Sequence, residues 1–189
     1  RQMCIRDSRI TVYEWQNKEK IVYSKEIKGV SLNKGMNELK IPISAPEAKL
    51  WSVDDPNLYV CEVELSEGKN WVDKDSRRFG FRWFEASGIG EDAVFRLNGK
   101  RIMLRSAISW SFWPVNGIFP SEELAERQIR IAKELGLNML NFHRFIGNTD
   151  VMNYADELGL LYFEEPGGFR LDVRQPFMNA VLHEKVVRM

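Results

Sequence analysis

Cysteine is nearly absent: Cys4 and Cys61 are the two in 189 residues, far apart and outside any C-x-x-C or Cys/His spacing. They support neither a disulfide framework nor a zinc site. No apolar run approaches the roughly 18 to 20 residues that a helix needs to cross a bilayer, so no membrane partner is expected. An excess of either charge is missing as well, with 27 Lys plus Arg against 27 Asp plus Glu. That balance removes the global electrostatic reason to expect a nucleic acid or an anionic lipid surface as partner. Residues 1–8 (RQMCIRDS) lack a charged leader followed by a long apolar segment and fit no strand or helix pattern. They are expected to be a non-native leader outside the fold.

What is present is a core-forming composition, 44% hydrophobic and 29% charged, with six Trp whose faces suit both core packing and stacking on sugars. A length of 189 residues suggests one domain plus a piece, or two small ones. Residues 9–84 carry the period of strands. Leu39, Ile41 and Ile43 alternate with polar or Pro positions, as do Tyr59, Cys61, Val63 and Leu65, and then Phe79, Phe81 and Trp83. Turn signals at Gly35, at Asp55-Pro56-Asn57 and at Gly68 separate the runs. Short strands at this spacing predict an antiparallel, immunoglobulin-like β-sandwich.

After a polar joint at residues 85–92 (EASGIGED) the period changes. Asn98-Gly99 predicts a tight hairpin, because a type I′ turn needs positive φ at both central positions. Pro120-Ser121 before Glu122 and Glu123 predicts a helix start. Leu124, Ala125, Ile129, Ile131, Ala132 and Leu135 mark its inner face, with Gln128 as one polar exception, and Gly136 stops it. Residues 137–142 (LNMLNF) predict a buried strand, Thr149-Asp150 caps a second helix that Gly159 ends, and residues 160–163 (LLYF) predict a third strand. The exit Glu134-Leu135-Gly136-Leu137 recurs as Glu157-Leu158-Gly159-Leu160. Helices alternating with buried strands imply a parallel sheet of β/α units. At roughly 31 residues per unit, residues 93–189 hold about three of the eight units of a TIM barrel, an incomplete barrel whose last predicted helix is residues 182–189.

In such a fold the chemistry gathers at the carboxyl ends of the strands. Trp110 and Trp113 follow the first strand and either wall a sugar pocket or pack a long loop. Asn141, His143 and Arg144 follow the second, with a structural histidine and a plain ion pair as the alternatives. Glu164-Glu165 follows the third. Consecutive residues of a strand point to opposite faces, so at most one of these glutamates looks into the barrel mouth, and Glu165 is the candidate.

The ordered runs Leu50-Trp51-Ser52, Asp55-Pro56-Asn57-Leu58-Tyr59, Arg78-Phe79-Gly80-Phe81-Arg82, Leu97-Asn98-Gly99-Lys100, Leu104-Arg105 and Gly136-Leu137-Asn138 resemble glycoside hydrolase family 2. Asp156-Glu157-Leu158-Gly159-Leu160-Leu161-Tyr162 continues the resemblance in the same order. It implies a retaining hydrolase of β-linked sugars, β-galactosidase-like, with a carbohydrate as partner and no cofactor. It also implies that the acid/base and nucleophilic glutamates follow the fourth and seventh strands, beyond Met189, so that this chain alone turns nothing over. Two departures stand out. Asn141 occupies a position where the family's pattern has Arg, and Ser106 stands where Gly is usual. The competing reading is a carbohydrate-binding or scaffold module without chemistry.

Overall fold

The computed structural model describes residues 3–67, 70–144 and 146–165. The chain divides into two compact units, one running to Glu85 and including Leu97–Gly99, the other made of Ala86–Arg96 and the residues from Lys100 onward. Strands predominate and helices are few.

The first unit is a four-stranded antiparallel sheet of β1 (Met3–Glu14), β2 (Asn17–Leu32), β3 (Tyr59–Glu67) and β4 (Asn70–Phe79), in the order β2-β1-β3-β4. Ile10 pairs with Val63 and Val12 with Cys61, which puts these apolar side chains on one face. Ile10 and Val12 are buried there, as are Leu58, Tyr59 and Trp51 elsewhere in the unit. Trp51 is sealed in by its neighbours. Its amide donates to the Phe81 carbonyl at 2.9 Å, the Arg82 guanidinium lies 4.2 Å over its ring, and a Cβ on Gly80 would come within 2.8 Å of its own Cβ. Tyr59, Phe79 and Phe81 pack edge-on beside one another, with Phe81 5.2 Å from Tyr59 and 4.9 Å from Phe79.

The opposite face carries Glu62, only 8% exposed, whose carboxylate takes Lys74 at 2.8 Å, Lys18 at 3.3 Å and the Tyr13 hydroxyl at 3.4 Å. These contacts hold Glu62 below the ordinary carboxylate range, the Lys74 hydrogen bond contributing most, with burial opposing.

Three sequence expectations are corrected here. Residues 3–8 are not outside the fold: they form the first half of β1, with Ser8 opposite both Ile27 and Leu65 and Arg6 opposite Glu67. A strand between two partners is held by its backbone groups, which need no hydrophobic alternation. Residues 39–43 form no strand, and Leu39 is 54% exposed. Pro42 removes a ladder donor from that segment. Residues 79–83 are not one strand either: β4 ends at Phe79, and β5 (Phe84–Ser87) runs into the expected joint.

Next come a 3-10 turn at Gly90–Asp92 and the hairpin of β6 (Val94–Leu97) and β7 (Lys100–Ile102). The hairpin turn has Asn98 at φ 53° and Gly99 at φ 75°, the positive pair that a type I′ turn requires.

The second unit contains a parallel sheet of β8 (Ser106–Ser109), β9 (Met139–Phe142) and β10 (Leu161–Glu164), with β9 in the centre. The chain crosses from β8 to β9 through α1 (Glu122–Glu134) and from β9 to β10 through α2 (Thr149–Leu158). The Ser121 hydroxyl caps α1 by accepting the Leu124 amide at 3.3 Å. Asn148, not Thr149, caps α2, accepting the Asp150 amide at 2.9 Å. Gly159, at φ 80°, ends it in the left-handed conformation. Ala125, Ile129 and Ala132 of α1 and Val151 and Ala155 of α2 bury against Leu140, Phe142 and Leu160. The 3.6-residue period thus selects the helix faces, and alternate residues of β9 select the sheet face that meets them. At the amino ends of the strands Asn138, 5% exposed, accepts the Arg105 amide at 2.7 Å and donates to the Met103 carbonyl at 2.9 Å, tying β8 to β9. The helix expected at residues 182–189 lies outside the described residues.

Candidate functional site

Alternation along β9 and β10 decides which side chains can form a site. Leu140, Phe142 and Tyr162 pack on the helix side. Asn141, paired with Ile108 and Phe163, therefore faces the other way, and so does Glu165, two residues beyond Phe163. Glu164 stays on the helix side of β10. The two adjacent carboxylates accordingly hold different parts of the β9–α2 loop. Glu164 accepts the Gly147 amide at 2.9 Å, and Glu165 accepts the Arg144 amide at 3.0 Å. Gly147 is required where it stands, because a Cβ there would meet the Phe142 ring at 2.5 Å.

Around Glu165 the carboxyl ends of all three strands converge. His143 Nδ1 lies 3.4 Å from Glu165 Oε1, and the Asn141 side chain helps hold the same carboxylate ionised. The His143 ring meets Trp110 edge-on at 4.6 Å between centroids, and the Arg144 guanidinium sits 5.9 Å from the Trp110 centroid. The His143 amide donates to the Ser109 carbonyl at 3.0 Å, which fixes the exit of β9 to the end of β8. Arg144 adopts a left-handed φ of 64°, uncommon for a residue with a side chain and concentrated at functional loops.

The electrostatics favour an ionised acceptor. The Arg144 backbone N–H does most to hold Glu165 below the ordinary carboxylate range; burial opposes it, and the Asn141 amide and His143 add to it. Asn141 Oδ1 is buried and has no hydrogen-bond partner among the described residues. Trp110 is 60% exposed, leaving much of its ring open. A partly exposed carboxylate beside an open indole has the chemistry to take hydroxyls at its edge and C–H groups on its face.

The structure brings together Trp110, Asn141, His143, Arg144 and Glu165. It does not bring Trp113 to them. That indole packs against the helix-side core, and its backbone closes the loop by exchanging two 2.8 Å hydrogen bonds with Gly117. Sequence reasoning missed Ser109, Ser111 and Gln128, which lie behind Trp110. The signal was present, since Gln128 interrupts the apolar face of α1. No cluster of three or more His, Cys, Asp or Glu side chains that could hold a metal occurs among the described residues.

Comparison with known proteins finds likenesses in both sequence and structure. The family model for Glycosyl hydrolases family 2 matches residues 5–82. A putative beta-glucuronidase of Formosa agariphila is 34% identical over 117 residues, covering 62% of this chain and 14% of that protein. A beta-galactosidase of Thermoanaerobacterium thermosulfurigenes is 34% identical over 125 residues, covering 66% of this chain and 17% of its own length. Among solved structures, the Parabacteroides merdae beta-glucuronidase with glycerol in its active site superposes with a TM-score of 0.70 at 28% identity, covering 95% of this chain and 22% of that one. The chain thus spans less than a quarter of the length of each of these relatives. The family-model match, the relatives and the solved structures all make the chain similar to glycosyl hydrolases family 2, with the family model confined to residues 5–82.

Proposed function

We propose that this chain supplies one wall of the sugar site of a β-glycosidase that cleaves with retention, with a β-galactoside as the favoured substrate and a β-glucuronide as the next. On this reading the first unit is an immunoglobulin-like module, and β8, α1, β9, α2 and β10 are the opening units of a TIM barrel. The parallel order of the three strands, with both crossover helices packed on one face, supports the barrel. The observation that carries the function is the convergence of Trp110, Asn141, His143, Arg144 and Glu165 at the carboxyl ends of those strands.

The division of labour follows from the carboxylates. Retention needs two carboxyl groups facing one glycosidic bond at about 5 to 5.5 Å, one to protonate the leaving oxygen and one to attack. Glu164 and Glu165 face opposite sides of β10, so they do not form such a pair. Glu165, ionised and already accepting hydrogen bonds, is a receiver of sugar hydroxyls and a poor proton donor. The reacting pair is therefore assigned to residues other than those described here, and Trp113 to support of the loop. A binding module without chemistry is the second reading, favoured by this single inward carboxylate.

Incubation of the 189-residue chain with aryl β-galactosides and β-glucuronides tests the division. No aryl alcohol is expected to be released, while saturation-transfer NMR detects binding of the glycoside. Turnover by the purified chain would overturn the assignment of the chemistry elsewhere.

A further inference from the structure

We infer that Gln128 is a positioning residue for Trp110, acting through two buried serines at the exit of β8. The inference deepens the sugar-site reading and rests on it. Ser109 and Ser111 are 6% and 2% exposed, whereas Trp110 between them is 60% exposed. Strand alternation alone sends Ser109 and Trp110 to opposite faces, but the chain leaves the strand and turns just past Trp110. It makes that turn by placing Ser111 at φ 42°, in the left-handed region that residues with a side chain avoid.

Hydrogen bonds fasten that turn. The Ser111 amide donates to Ser109 Oγ at 3.2 Å, and the two hydroxyl oxygens lie 3.4 Å apart. From α1, Gln128 Nε2 donates to the same Ser109 oxygen at 2.5 Å. Ser109 is thus a junction, its side chain taking Gln128 and Ser111 and its carbonyl taking the His143 amide.

A glutamine on this helix face is unexpected on packing grounds. Its helix neighbours on that side are Ala125, Ile129 and Ala132, all buried, and an apolar side chain would fill the same space without desolvating an amide. Gln128 Oε1 is buried without a hydrogen-bond partner among the described residues, so the amide is not there for its own satisfaction. What it does reach is the turn that carries Trp110 over His143.

The chain has two histidines, His143 and His183, so the imidazole C–H signals of His143 are assignable by comparison with His143→Gln and report the ring current of Trp110. Gln128→Ala, and from the strand side Ser109→Ala, are expected to move those signals most of the way to their position in Trp110→Ala, with the helical circular dichroism retained. Affinity for methyl β-D-galactoside is expected to fall about fivefold in Trp110→Ala and similarly in Gln128→Ala, with no further loss in the double variant. His143 signals unmoved in both Gln128→Ala and Ser109→Ala would overturn the inference, as would losses that multiply in the double variant. Should Trp110→Ala bind the sugar as well as the parent chain while His143 still responds to Gln128→Ala, the positioning role holds and the sugar-platform reading of Trp110 fails.

Discussion

The two units use their carboxylates in opposite ways. In the antiparallel unit Glu62 takes two lysine ammonium groups and a tyrosine hydroxyl across neighbouring strands, a side-chain network spread over a sheet face. In the parallel unit Glu164 and Glu165 are held by backbone N–H groups of one loop, and the face around Glu165 keeps a partly exposed carboxylate and an exposed indole. The first arrangement satisfies its members and leaves little for a ligand. The second pins a loop and leaves part of the Glu165 carboxylate open beside the indole, an arrangement compatible with recognition of a ligand.

The largest effects should come from the cores that support each arrangement. Phe142→Ala and Trp51→Ala each remove a side chain with no exposed surface and are expected to cost about 3 to 5 kcal/mol in urea denaturation. Both described α-helices lie in the second unit, so Phe142→Ala should shift the helical dichroism midpoint more than Trp51→Ala does. Equal shifts would break the comparison. Next in size is Asn138→Leu, which strips a buried side chain of its bonds to Arg105 and Met103 and is expected to cost about 1 to 3 kcal/mol.

Acid sharpens the contrast further. Glu62 and Glu165 are both depressed below the ordinary value of 4.5, so each stabilises the fold above that pH and loses its contribution as pH falls through its lower folded value. Stability should therefore decline below about pH 4.5, and Glu62→Gln and Glu165→Gln should each flatten the decline. Glycoside binding is expected to weaken in Glu165→Gln and to persist in Glu62→Gln. The smallest effect is expected for Lys20→Ala, which breaks an exposed ion pair with Glu14 and should leave the denaturation midpoint where it is.

Much of the second unit is legible from the sequence because its signals are local. The repeated Glu-Leu-Gly-Leu exits mark where helices stop and strands begin, and strand alternation alone sends Glu164 and Glu165 to opposite faces. The first unit is harder to read. Residues 39–43 alternate like a strand, yet a prolyl nitrogen and the lack of a paired neighbour keep them irregular. Residues 3–8 show no alternation, yet β2 pairs with them along their length and β3 joins from Arg6 onward, supplying their backbone bonds. The capping of α2 by Asn148 shifts the start signal by one residue, a choice between two adjacent polar side chains that composition does not resolve. The Ser109, Ser111 and Gln128 network depends on a contact across 19 residues of sequence, and only the polar interruption of an apolar helix face hints at it.

The central claim is that the open face at the carboxyl ends of β8, β9 and β10 binds a sugar through Glu165. A titration of the chain with methyl β-D-galactoside and methyl β-D-glucuronide, followed at the His143 imidazole C–H signals, tests it most directly. The account predicts saturable shifts with at least one of the two that weaken or vanish in Glu165→Gln. Signals that stay still with both glycosides, or that respond identically in Glu165→Gln, would contradict it.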